Sequence, residues 1–182
     1  GDDEEGRRLV EEALVQLEAL LLKCEVRGRR AYYMNRIGGL YARLGNLETA
    51  RTCWEQSLRL FQEIGDPAGV AHALGCLAAA AREERDDVLA IELFGSLLER
   101  LKGSPFHDLR AGAHHDLVRL KMAQGDLAEA RRHFDAASAI CASHPMPSVQ
   151  EALDDTEVRL TFAERSREPT RRELSSMIRD LH

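Results

Sequence analysis

The chain has 182 residues, 44% of them hydrophobic, 5% aromatic and 31% charged, with a formal net charge of −6. This is long enough for one domain with a buried core or for a short repeat array, and the abundance of Ala, Leu, Arg and Glu with only five Pro fits packed helices rather than a sheet protein. The acidic total argues against nucleic acid as a general partner, since phosphate binding needs a basic face, and no apolar run approaches the roughly 20 residues of a membrane span.

In chain order, the polar start GDDEEGRR is no signal peptide and reads as a charged, fraying lead-in. Gly1 in place of an initiator Met suggests the cut end of a longer polypeptide. A first helix is expected from about Leu9 to Val26, with Val10, Leu14, Leu17, Leu20 and Leu21 at helical spacing and Gly28 as its stop. Two further helices, Ala31–Leu44 and Leu47–Ile64, form a hairpin about Gly45-Asn46, and Gly65-Asp66-Pro67 closes it. An Ala-rich helix follows from Ala68 through Arg82. The cluster Arg82-Glu83-Glu84-Arg85-Asp86-Asp87 is a solvated corner, after which Val88–Leu101 is helical. Leu109–Ala123 and Leu127–Cys141 form another hairpin about Gly125-Asp126, broken by Ser143-His144-Pro145-Met146-Pro147. Ser148–Glu164 is then helical. Thr170-Arg171-Arg172-Glu173 has the capping-box pattern and opens a short helix with Leu174, Met177, Ile178 and Leu181 as its stripe. That last helix is expected to cap the open end of the array, the alternative being that it occupies a groove.

A period of 40 runs through these elements. Ala50, Ala90 and Ala130 are 40 apart, and each is followed four residues later by an aromatic, Trp54, Phe94 or Phe134. A small residue early in the second helix lets the first cross close by, and the aromatic one turn later fills the wedge between them. The middle unit replaces the Gly-Asn or Gly-Asp turn with its charge cluster. Helix one fits the same register as a second helix of an earlier repeat, because Val10, Leu14 and Leu17 stand 40 before Ala50, Trp54 and Ser57.

Over residues 29–143 this pattern resembles the tetratricopeptide repeat (TPR) family in a long, 40-residue version. The residues that carry the resemblance are Met34, Ile37, Gly38, Tyr41, Gly45, Ala50, Trp54 and Ser57, then Ala71, Leu74, Gly75, Ala90, Phe94 and Leu97, then His114, Leu117, Val118, Gly125, Ala130, Phe134 and Ala137. Val118, where the family has a small residue, suggests a wider helix pair. The fold expected is all-α, an α-solenoid of stacked antiparallel helical hairpins. One domain, 1–182, would comprise an N-terminal helix or half-repeat (1–28), three repeats (29–67, 68–106 and 107–147) and C-terminal helices (148–182).

The chemistry expected is binding, not catalysis. Cys24, Cys53, Cys76 and Cys141 are too widely spaced for a zinc knuckle or a disulfide framework, so a reducing, cytoplasmic or nuclear setting fits them best. The adjacent histidines His114 and His115 point about 100° apart on a helix and do not make the i, i+4 pair of a helical zinc site. No phosphate loop or nucleophile elbow appears, so no enzyme activity, metal or cofactor is expected. The resemblance implies a protein-interaction scaffold that holds a partner peptide in a concave groove lined by first helices. Carried across, the groove residues are Tyr32, Asn35, Arg36 and Arg43, then His72 and Cys76, then His115, Arg119 and Met122, with Gly39 and Ala79 between them. Their arginines and histidines favour an acidic segment, and the space near Cys76 and Ala79 suits an apolar side chain. The lysine of a carboxylate clamp is missing. The alternatives are a self-associating assembly element and a regulatory ligand-sensing repeat module of a larger protein.

Overall fold

A computed structural model describes residues 2–166, and every regular element among them is an α-helix. They are α1 Asp2–Lys23, α2 Arg27–Arg43, α3 Leu47–Ile64, α4 Pro67–Glu83, α5 Asp87–Arg100, α6 His107–Ala123, α7 Leu127–Ser143 and α8 Pro147–Ser166. The helix expected over Thr170–Leu181 lies outside the described residues. Helices α2, α4, α6 and α8 begin at 27, 67, 107 and 147, and α3, α5 and α7 begin at 47, 87 and 127. The sequence period is thus the period of the helical hairpins. Two compact units emerge, residues 1–114 and 115–182.

In the first unit α1 packs on α2, α2 on α3, α3 on α4 and α4 on α5, while α2 also meets α4. The hairpins close through the small and aromatic residues of the repeat. Ala50 and Ala90 are fully buried, and Trp54 and Phe94 are 5% and 3% exposed. Trp54 donates its indole N–H to the Asn35 carbonyl at 3.1 Å, and Ser57 donates its hydroxyl to the Ala31 carbonyl at 2.8 Å. These bonds satisfy polar atoms that burial would otherwise penalise, and they fix α3 against α2. Tyr41 donates to the Glu18 carboxylate at 2.9 Å and so ties α2 to α1. This bond to an acceptor, together with burial, pushes the Tyr41 phenol above its ordinary range.

Four details differ from the sequence reading. Helix α1 starts at Asp2, not near Leu9, and the acidic start suits a helix N-terminus, with Arg7–Glu11 and Arg8–Glu12 pairs along its surface. Gly28 does not stop α1 but sits in the first turn of α2. The stop is Cys24–Val26, where Arg30 reaches back to donate to the carbonyls of Leu21 and Cys24 at 3.1 and 3.0 Å. The turn of the middle hairpin is not replaced either: Arg85 adopts the left-handed conformation (φ 65) that Gly45 and Gly125 adopt 40 residues away. In all three turns the left-handed residue and its successor return backbone N–H groups to the helix end, and Asn46, Asp86 or Asp126 caps the next helix through its side chain.

The fourth correction concerns register. The 40-residue offset of the helices makes Ala78, not Gly75, the counterpart of Gly38, and Ala78 is fully buried. A Cβ on Gly38 would lie 2.6 Å from the Trp54 indole nitrogen, whereas one on Gly75 would meet only Leu97, at 3.7 Å. The larger ring of Trp54 therefore requires glycine opposite it. Where Phe94 and Phe134 take its place, Ala78 and Val118 stand at the facing position and both are fully buried.

In the second unit α7 packs on α8. Leu153 and Leu160 are fully buried and Thr156 is 4% exposed, so one stripe of α8 faces inward. Arg131 of α7 forks onto the Glu164 carboxylate of α8 at 3.0 and 2.6 Å while its guanidinium lies 5.3 Å from the Phe134 ring. Arg131 holds the Glu164 carboxyl below the ordinary carboxylate range.

Candidate functional site

In unit 1 the first helices of two hairpins, α2 and α4, lie side by side, and the 40-residue offset pairs Tyr32 with His72, Arg36 with Cys76 and Gly39 with Ala79. Tyr32 is 52% exposed, and the Arg36 guanidinium lies 5.9 Å over its ring. Tyr33 packs edge-on against Tyr32 at 6.2 Å. Arg36, Arg43 and His72 are exposed, and Cys76 and Ala79 are half-buried. A Cβ on Gly39 would meet nothing within 4 Å. The result is a face with small residues at Gly39, Gly75, Cys76 and Ala79, bordered by Tyr32, Arg36 and His72.

Asn35 stands apart from its neighbours. It is 7% exposed, and its side-chain oxygen is buried with no hydrogen-bond partner among the described residues. An orphaned acceptor of this kind is rare enough to mark a place where a further donor is wanted. Arg29, which sequence reasoning missed, adds to the cationic stripe. Arg29, Arg36 and Arg43 are seven residues apart and all exposed, and seven residues return to one helix face about every 10 Å. The heptad spacing was there to be read. No ion pair among the described residues occupies these three, whereas Arg27 pairs with Glu63 and Arg51 with Glu84. Glu83, the counterpart of Arg43 on α4, is exposed and moderates the charge at that end.

His115, Arg119 and Met122 lie in the second unit. His115 Nε2 is 2.9 Å from the Thr156 hydroxyl, which also bonds the Ala152 carbonyl at 2.8 Å. Because the hydroxyl spends its single proton on Ala152, the imidazole supplies the hydrogen of the first bond. His115 thus joins α6 to α8, Arg119 is exposed and Met122 is half-buried.

The thiols are set for packing. Burial pushes Cys76 up to about 11, and it raises Cys53 and Cys141 as well. Cys76 Sγ lies 3.9 Å from His72 Nδ1, so at neutral pH a protonated thiol faces the imidazole. Among the described residues no group of three His, Cys, Asp or Glu could hold a metal ion, and no helix is long and apolar enough to cross a membrane.

Residues 29–103 match the family model for the tetratricopeptide repeat. A kinesin-light-chain-like protein from Podosopora anserina, with nearly identical TPR-like repeats, is similar over 91% of this chain and 87% of its own, at 20% identity and a TM-score of 0.68. BtubC from P. vanneervenii is similar over 93% of this chain and 77% of its own, at 20% identity and a TM-score of 0.64. The N-terminal domain of stress-induced protein-1 from C. elegans is similar over 74% of this chain and 99% of its own, at 15% identity and a TM-score of 0.56. Comparison with curated proteins finds no match. Residues 29–103, spanning α2 to α5, are tetratricopeptide repeats, and the fold is a TPR-like α-solenoid of helical hairpins.

Proposed function

We propose that this chain is a protein-interaction scaffold that holds an acidic peptide segment on the α2/α4 face, with no catalytic role. The observation that carries this reading is the stripe Arg29, Arg36 and Arg43, exposed and, among the described residues, without carboxylate partners in a chain of net charge −6. Arginines about 10 Å apart match carboxylates spaced three residues apart in a peptide of polyproline II conformation, which returns to one face every three residues at about 3.1 Å per residue. Arg36 is already stacked on Tyr32, which lowers the entropy lost when it forks onto a carboxylate. The small residues at Gly39, Gly75, Cys76 and Ala79 leave room for an apolar side chain between the charged contacts, and Asn35 offers its amide to the peptide backbone. In the second unit His115, Arg119 and Met122 are proposed to provide a corresponding surface.

The test is fluorescence anisotropy with a library of Asp/Glu-rich peptides carrying one central Leu or Trp, beside Lys-rich peptides of the same length. Arg36→Glu combined with Arg43→Glu is expected to weaken the best binder at least ~30-fold, and raising the salt is expected to weaken it in the unmodified protein. Undiminished binding by the double variant would remove the assignment. A second reading, self-association, is favoured by one observation: α1 exposes Leu9, Val15, Leu20 and Leu22 at 55%, 66%, 48% and 85%. Sedimentation that is independent of concentration would count against it.

A further inference from the structure

Helix α8 buries one stripe, Leu153, Thr156 and Leu160, and carries Val158 and Phe162 on the opposite stripe, 71% and 73% exposed. Two large apolar residues one turn apart and bounded by charge mark an interaction face. Asp155 and Arg165, both exposed, continue the stripe to either side. The positions Asp155, Val158, Phe162 and Arg165 are spaced three, four and three, which is the seam of a two-helix coiled coil. Their order is self-complementary: acid, apolar, apolar, base. Asp155 and Arg165 each stand five residues from Leu160, and Val158 and Phe162 each stand two. When two such helices pack antiparallel about a twofold axis level with Leu160, Val158 of each meets Phe162 of the other, and Asp155 of each meets Arg165 of the other.

We propose that a second copy of this chain docks on α8 in this way, through residues 154–166 of each copy. The other charges of the helix fit the arrangement. Asp154 comes opposite Ser166, and Glu151 lies beyond the level of Ser166. Glu164 is paired with Arg131 of α7, and Glu157 acts on the same guanidinium from off the seam. Arg159 stands at the rim, 3.7 Å from Asp155 of its own helix, and a carboxylate has acceptor capacity for a second arginine. The two copies of Arg159 lie on the same side of the seam but project into water, where their repulsion is screened. One helix pair with two apolar layers and two ion pairs is small for a protein interface, so a weak dimer is expected, with Kd of roughly tens of micromolar.

The experiment is sedimentation velocity of the full 182-residue chain from about 1 µM to about 300 µM. The sedimentation coefficient is expected to rise with concentration toward that of a dimer. Asp155→Arg sets arginine against arginine and Arg165→Asp sets aspartate against aspartate, so each variant alone is expected to raise Kd at least ~10-fold. In an equimolar mixture of the two variants every such contact again joins arginine to aspartate, and Kd is expected to return to within about threefold of the unmodified chain. Phe162→Ser is expected to weaken association without lowering Tm in dilute solution, because it leaves the buried stripe of α8 intact. A chain that is monomeric throughout would overturn the proposal, as would a mixture that associates no better than either variant alone. Association indifferent to both single variants would place the contact elsewhere, on α1 for example, and overturn it too. So would a Phe162→Ser variant of lowered Tm in dilute solution, since the chain itself would then cover this face.

Discussion

Gly38→Ala tests the packing logic of the repeat most sharply. The added Cβ would lie 2.6 Å from Trp54 Nε1, 2.8 Å from its Cδ1 and 3.0 Å from the Ala50 carbonyl oxygen. Two of these are ring atoms and one is backbone, so relief requires the indole to tilt or the helices to part. Overpacking of this kind costs about 1–3 kcal/mol. Tilting the indole also strains its 3.1 Å bond to the Asn35 carbonyl, worth about 1 kcal/mol. Against this, alanine gains about 1 kcal/mol over glycine in helix propensity. The net expectation is a loss of about 2 kcal/mol, or a Tm lower by about 4–8 °C in a chain of this size. Gly75→Ala is the internal control: its Cβ would make only an ordinary 3.7 Å contact, so the propensity term stands alone and Tm is expected to rise by about 2 °C. Thermal denaturation of both variants decides the matter. A neutral Gly38→Ala, or a Gly75→Ala as damaging as Gly38→Ala, would refute the pairing of Trp54 with glycine and the 40-residue register.

Arg85→Gly should stabilise the middle hairpin by about 0.5–1 kcal/mol in urea unfolding, because glycine takes the left-handed conformation without the cost an L-side chain bears there. For the Arg131–Glu164 pair, a carboxyl whose folded value is depressed contributes stability above its unfolded value and loses it as pH falls. Both side chains are about one third exposed, so Glu164→Gln is expected to cost only about 0.5 kcal/mol at neutral pH, and to flatten the fall of Tm between about pH 5 and pH 3. Cys76 should resist iodoacetamide in the folded protein: with its thiol pushed up to about 11, the thiolate fraction at pH 8 is about one in a thousand. Rapid alkylation of Cys76 without unfolding would contradict that burial.

Most of the helices were legible because two strong signals coincide in them, apolar residues at three and four and Gly, Asn, Asp or Pro at the breaks. Helix α3 begins and ends where Asn46 and Gly65 place it. The misses have physical causes. The acidic start of α1 reads as a loose lead-in unless its i, i+4 pairs and the helix dipole are weighed. A left-handed arginine has no sequence signature, so the turn at Arg85 was hidden by its charges. Gly75 mimics the small residue of the family pattern, but the space around it is open and Ala78 fills that role. At the candidate face, the exposed positions Tyr32, Arg36, Arg43 and His72 follow from helical spacing alone. The burial of Asn35 does not, since it depends on how α2 meets its neighbours.

The central claim, that the α2/α4 face is the binding surface, is tested most directly by hydrogen exchange of the full chain saturated with the best-binding acidic peptide. The account predicts new protection in α2 and α4, and its loss on Arg36→Glu with Arg43→Glu. Protection confined to α3 and α5, or binding that leaves α2 and α4 unchanged, would contradict it.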